Sequence, residues 1–459
     1  MMIPKSFAVF LPALVAGFGF AHLFWKSDRP TALALKVFLG IGLGLGITSC
    51  LYFLRLLLFP GQGGYLLIQF IFLTLVLIAL FLNKGVSFDR SLPSFLLTRT
   101  GVLLGLFVIF VAAIGFYFLV IYARLAPHGD YDAQAIWNLR ARFMYRSGNG
   151  WENAFSPLIN RNFHMDYPLL IPLSVVGGWN VLGGEVLRVP TALSILFLFG
   201  IAGTTFSFIA DLRSGSQATI AVLLLLATPG LLLFSTFQTA DIPLTYFFLA
   251  ATGLLVIGSK ENSPGPVFLS GLMAGLSAWT KNEGIPFVIL MMLCTIFVFG
   301  IRQARTNLLS LLAGMALPVL MIILFKALIA VNNDLFADNG LRQIILKLFT
   351  PSRYIQILTH LISELIHLGN WPISIIAVLF VYGLIMGIRK LSDSTEKVLL
   401  ILTFSQFVVY MLIYLITPHD LEWHMNYSMS RLLIHLFPMA LCCFFLFVNT
   451  PESVLNEVK

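Results

Sequence analysis

The chain has 459 residues, of which 59% are hydrophobic and only 10% charged, and it carries a formal net charge of +8. This composition excludes a soluble globule. The Lys and Arg behind the net charge are dispersed through short connections between apolar runs, so membrane topology explains them and no nucleic-acid partner is expected.

A hydrocarbon core of ~30 Å needs roughly 20 apolar residues per helix, and backbone left unpaired in lipid is costly. Runs of that length fill most of the chain, which predicts an all-α, polytopic transmembrane helical bundle. In chain order, about 13 spans are expected, at about 3–23, 33–58, 65–82, 98–123, 187–210, 217–236, 240–258, 266–280, 284–300, 307–330, 371–388, 398–416 and 431–449. Two long polar segments, 124–186 and 331–370, interrupt them. The chain thus divides into N-terminal transmembrane helices (1–97), a core that includes the first polar segment (98–330), the second polar segment (331–370), and C-terminal helices with a short tail (371–459). Only Lys5 precedes the first apolar run, which therefore reads as a retained span rather than a cleaved signal peptide. Cys50, Cys294, Cys442 and Cys443 all lie inside apolar runs and read as small core residues, not as a disulfide framework or metal site.

Cytoplasmic connections carry an excess of Lys and Arg. Lys26/Arg29, Lys84/Arg90, Arg213, Lys260, Arg302/Arg305 and Arg389/Lys390 can all face the cytoplasm together. That requires the N-terminus outside, the C-terminal tail inside, and the apolar piece Pro168–Gly184 not to cross. Both polar segments, Lys281 and the 417–430 connection then lie on the external face. External amphipathic helices are expected there. In "HGDYDAQAIWNLRARFMYRSG" (His128–Gly148), Ile136, Leu139 and Phe143 recur at helical spacing, opposite Gln134, Asn138, Arg142 and Arg146.

The clusters that carry chemistry fall on that face. Asp130 and Asp132 could cap the helix that follows them, but two carboxylates directly outside a span point to a functional site. "FHMDYP" offers His164 and Asp166 to a metal or a sugar hydroxyl, with Tyr167 as an interfacial anchor in the plainer reading. "QTADIP" places Asp241 at a helix start, where capping again competes. "WTKNEGIP" breaks an apolar run with Lys281, Asn282 and Glu283; a turn explains Asn282 but not an external Lys, which a bound anionic headgroup would explain. Arg431 opens the last span on its external side, as a phosphate fork or a snorkelling side chain.

The ordered set "GDYDAQAIWNLRARFMY", "HMDYPLLIPL", "RVPTALSILFLFG", "TADIPLTYFFLAA", "GLSAWTKNEG" and "SRLLIHLFP" resembles the GT-C superfamily of integral-membrane glycosyltransferases. Within it, the bacterial relatives of protein O-mannosyltransferases and lipid A aminoarabinose transferases are nearest. The likeness covers roughly Val120 to Lys281 and returns in the final spans. Two features depart from the family pattern: four spans rather than one precede the first external loop, and the usual His-Pro-Pro is replaced by His164-Met165-Asp166-Tyr167-Pro168.

The resemblance implies a GT-C-like core at 98–330 in a bacterial cytoplasmic (inner) membrane, with the active site facing the periplasm. It implies a polyprenyl-phosphate-linked sugar donor, a lipid, glycan or protein acceptor hydroxyl, membrane lipids as surroundings, and inverting transfer. Asp132 matches the family's first-loop acid and is the expected base, with Asp130 second. Arg140 or Arg142, Lys281 and Arg431 are the expected phosphate clamps, and Trp137, Tyr167, Asn282 and Glu283 complete the substrate-binding set. Asp241, His164 and Asp166 shape the sugar pocket. No cofactor is fixed; the candidate is a divalent metal ion on Asp130, His164 and Asp166. An O-antigen ligase or polymerase would share the substrate class, but its large Arg-rich late loop has no match in a 331–370 segment holding Arg342, Lys347 and Arg353. A transporter or lipid flippase would place polar groups near the midplane of repeated halves, and no such repeat is visible.

Overall fold

The structure, a computed structural model, describes residues 2–27, 29–59, 61, 63–83, 98–156, 158–159, 163–299, 301–331, 340–389 and 394–457. It is an all-α bundle. Nine described helices are long and apolar enough to cross a membrane. They are α1 (Pro4–Phe24), α2 (Pro30–Leu58), α3 (Tyr65–Leu82), α4 (Arg99–Leu125), α7 (Arg188–Leu212), α10 (Asp241–Lys260), α13 (Ile301–Leu328), α17 (Ser394–Ile416) and α18 (Leu421–Phe447).

Two bent pairs raise the total to as many as 11: α8 (Gly215–Leu226) with α9 (Pro229–Thr236), bent by 60°, and α15 (Pro351–Ile366) with α16 (Ile375–Met386), bent by 81°. The two other expected spans are α11 (Pro264–Thr280) and α12 (Gly284–Val298), of 17 and 15 residues. The piece expected not to cross forms α6 (Leu170–Leu182), whose 13 residues reach only about 20 Å. Lys84, Arg90 and Lys390, which entered the expected orientation, lie outside the described residues.

Close helix crossings build the centre. A Cβ on Gly44 would come 2.0 Å from the Ala13 carbonyl oxygen, and one on Gly314 would come 1.9 Å from that of Phe268. The α1–α2 and α11–α13 contacts are therefore backbone against backbone, the arrangement small residues permit inside membranes. Tyr246 on α10 inserts its hydroxyl into the α2 ladder, donating to the Phe38 carbonyl at 2.9 Å and accepting from the Gly42 N–H at 3.3 Å.

Packing does not follow chain order. The most apolar stretch of α10 is wholly buried and that of α2 is 78% buried, whereas that of α4, directly before the first polar segment, is 11% buried. A helix assigned to the N-terminal part of the chain thus supplies the core, and the helix that opens the 98–330 region lies at the periphery.

The second polar segment contributes α14 (Leu341–Leu348) and α15, whose Leu341, Leu346, Ile355 and Leu358 are exposed. Their polar sides hold the end of α17: Lys347 donates to the Thr417 carbonyl at 2.7 Å, and Arg353 to those of Tyr414 and Leu415 at 2.8 and 3.1 Å. Both helices are amphipathic, with an apolar side left exposed.

Candidate active site

After α4 the chain docks against the 237–238 turn. Gly129 has φ +76, and a Cβ there would meet the Phe237 carbonyl oxygen at 2.6 Å. The Asp130 N–H donates to that same carbonyl at 3.2 Å. Gln238, held at φ 58, accepts from Asn138 at 2.8 Å and donates to Thr191 at 3.1 Å. A single π turn, Ala133–Trp137, follows Asp132 and runs into α5 (Asn138–Arg146), with the Asn138 N–H bonded to the Ala133 carbonyl.

That turn corrects the expected amphipathic face. A π turn takes up one residue more than an α turn, so the 3.6-residue phase slips. The buried side becomes Ala133, Ile136, Trp137, Ala141 and Met144, together with the polar Asn138 and Arg140, while Phe143 is exposed. Asp132 makes no capping hydrogen bond. Its Oδ2 instead meets Arg431 Nη1 at 2.5 Å, and its Oδ1 has no partner among the described residues.

Arg431 connects that carboxylate to a second one. Its Nε and Nη2 contact Asp241 Oδ2 at 2.9 and 2.8 Å. Asp241, 1% exposed, also accepts from Lys281 Nζ on Oδ1 and from Thr239 Oγ1 on Oδ2, both at 2.9 Å, and its Oδ1 lies 3.0 Å from His435 Nε2. Every acceptor direction of this carboxylate is taken, so Asp241 is an anchoring hub. Lys281 also binds Glu283 at 2.8 Å, and its side chain is 7% exposed. Burial alone would lower its pKa, but the Asp241 and Glu283 carboxylates hold it above the ordinary lysine value. Arg431, at 20%, is the more accessible cation.

A second cluster lies alongside. Asp166 Oδ2 accepts from Asn282 at 2.6 Å and from Lys326 at 3.2 Å, and Lys326 also donates to Asn282 Oδ1 at 3.0 Å and to the Asp166 carbonyl. The Tyr167 ring stacks on Trp137 at 5.4 Å and on His164 at 4.8 Å, with Lys281 Nζ 5.9 Å from its centroid. The turn Lys281–Glu283 therefore touches both clusters.

Other expected site residues are placed differently. Arg140, expected as a clamp, is 2% exposed and donates to the carbonyls of Tyr167 (3.1 Å), His164 (2.7 Å) and Phe163 (3.3 Å). Burial pulls its guanidinium down to about 10, against the opposing pull of Asp166 and Tyr167, so it remains a cation at neutral pH and buttresses the loop. Arg142 meets His128 at 3.1 Å and Glu185 at 3.6 Å. Trp137 is buried at 1%. Asp130 makes no side-chain hydrogen bond among the described residues. There too, no three His, Cys, Asp or Glu side chains gather as a metal-ligand set, so Asp130, His164 and Asp166 do not form one.

Three residues of the site escape the sequence reading: Lys326, His435 and Tyr410, whose Oη lies 3.1 Å from His435 Nδ1. The first two interrupt apolar runs ("ILFKALI", "RLLIHLF"), and an ionisable group inside a span is itself a functional signal. Tyr410 carried no such mark.

Residues 175–326 match the family model of dolichyl-phosphate-mannose-protein mannosyltransferases, which belongs to the GT-C superfamily of membrane glycosyltransferases. The matched stretch holds Asp241, Lys281, Asn282 and Glu283 and ends on Lys326; Asp132 and Arg431 lie outside it. No curated protein and no solved structure matches the chain.

Proposed function

We propose that this GT-C-type membrane glycosyltransferase moves a sugar from a polyprenyl-phosphate donor to an acceptor hydroxyl with inversion, at the external face of a bacterial inner membrane. The acceptor is a lipid, glycan or protein. The observation that carries the reading is the Asp132 carboxylate, with one oxygen on Arg431 and the other open.

In the proposed step the acceptor oxygen attacks the anomeric carbon while its proton passes to Asp132 Oδ1. The bond from anomeric carbon to phosphate oxygen breaks, and its electron pair leaves on the phosphate. Arg431 serves both ends of this exchange. Before transfer its guanidinium lies beside the Asp132 carboxylate. As Asp132 takes the proton and loses its charge, the leaving phosphate gains one, and the same guanidinium is free to stabilise it. Lys281 acts through Asp241, balancing the buried charge that keeps Arg431 aimed. Among the described residues no three His, Cys, Asp or Glu side chains gather for a metal ion, and no step is assigned to one.

Asp132→Asn keeps shape and polarity but removes basicity. It should fold, bind undecaprenyl phosphate and lose ~10²–10⁴ in turnover, while Asp130→Asn stays near normal. The assay is restoration, in a deletion strain, of the envelope glycan or lipid that mass spectrometry shows to be missing. Near-normal restoration by Asp132→Asn would remove the assignment, and a loss confined to Asp130→Asn would move it there.

A further inference from the structure

Behind the ion cluster lies a pair with no assigned task. His435, on α18, and Tyr410, on α17, are both fully buried. Tyr410 Oη is 3.1 Å from His435 Nδ1, and His435 Nε2 is 3.0 Å from Asp241 Oδ1. A neutral imidazole carries one N–H. On Nδ1, that proton would leave the Nε2 lone pair facing a carboxylate oxygen, a repulsive contact. On Nε2, it is accepted by Asp241, and Nδ1 is free to accept the Tyr410 phenol proton. Among neutral forms, that one alone turns both contacts into hydrogen bonds with Tyr410 donating.

We infer that Tyr410 and His435 form a tautomer lock that positions Asp241, and through it aims Arg431 at the donor phosphate. The inference rests on the proposed phosphate role of Arg431. The line of contacts runs from Tyr410 through His435, Asp241 and Arg431 to Asp132, joining α17, α18 and α10 to the loop that carries the base. Without the His435 N–H, Oδ1 keeps Lys281 alone, and the carboxylate can turn toward that cation and take Arg431 with it. His435 touches no substrate; it is a positioning residue.

Two amide variants separate positioning from packing. In His435→Gln the side-chain amide reaches the place of Nε2 and restores the donor to Asp241. In His435→Asn it reaches the place of Nδ1 and does not. Binding of undecaprenyl phosphate to the full chain in nanodiscs should weaken about tenfold in His435→Asn and stay within about twofold of wild type in His435→Gln, the scale of one directed hydrogen bond. Equal loss in both variants, or none in His435→Asn, overturns the inference. Arg431→Met in parallel tells the two readings apart. If it abolishes binding while His435→Asn does not, the phosphate site stands and the lock falls; if Arg431→Met binds normally, both fall. Should the variants fail to fold, the wild-type chain still decides. A ¹⁵N-histidine solid-state spectrum should show His435 protonated on Nε2 and bare on Nδ1, and the opposite tautomer or a doubly protonated ring overturns the lock.

Discussion

Asp241 shows why the charged residues of this bundle must be read as a set. A carboxylate at 1% exposure is tolerated because Lys281, Arg431 and Thr239 all direct polar hydrogens at it. Removing one partner of a buried pair leaves the other charge uncompensated, which typically costs about 3–5 kcal/mol. In Lys281→Met, Asp241 keeps Arg431 while Glu283 loses its cation, so the expected destabilisation is smaller, about 1–3 kcal/mol. The double variant Lys281→Met/Asp241→Asn should lose about 0.5–3 kcal/mol less than the two single variants together, as coupled sites do. Thermal unfolding of the four proteins in one detergent measures both quantities, and strict additivity would mean the pair is not coupled. The residues themselves were legible in the sequence, because Asp132, Asp241, Lys281 and Arg431 break apolar runs at their ends. Their pairing was not. Asp132 and Arg431 stand 299 positions apart, and the nearer Arg140, eight residues on from Asp132, turned out to face carbonyl groups.

Among the elements, the π turn Ala133–Trp137 has the most direct bearing on function. Upstream of it, the chain is tied to the Phe237 carbonyl through the Asp130 N–H; downstream, α5 is tied to the 163–167 loop through Arg140. The extra residue lets both attachments hold while Asp132 faces Arg431. Deleting Ala135 should turn the π turn into an α turn and rotate one side against the other by about 100°, one residue's turn in a helix. A fall in glycan restoration of about 10², comparable to that of Asp132→Asn, is expected, while Ala135→Gly should remain near normal. Full activity in the deletion would mean the turn does not aim the base. This is also where periodicity misled. The 3.6-residue pattern placed Phe143 inside and Asn138 outside, and one inserted residue reversed both. Where no such slip occurs, as in α7 and α10, run length and apolarity placed the helices to within a few residues, whereas α18 begins at Leu421, well before the expected start at Arg431, because its first turns are polar.

At the scale of the whole molecule, the helices sort charge to two ends. α10 starts at Asp241 and α11 ends beside Lys281, and these two residues touch; Lys326, near the end of α13, binds Asn282 between them and α12. At the opposite end, Arg29 pairs with Asp211 at the foot of α7 and with Glu261 in the turn after α10. α10 and α11 thus run the full depth between the same two levels, although α11 has only 17 residues, about 25 Å of helix. Counting α11 and α12 as crossings adds two and leaves the sidedness of everything after them unchanged. By the positive-inside rule, the end that holds Arg29, Lys260, Arg213 and Arg389 is expected to be cytoplasmic, which puts the site end outside in the proposed orientation. Reporter fusions after Gly148 and after Asn282 should both read external, and a fusion after Arg389 should read cytoplasmic. If Gly148 and Arg389 report the same side, the orientation is wrong. If Asn282 alone reads cytoplasmic, α11 and α12 do not cross, and the turn that joins the two clusters could not stand at the external face with Asp132.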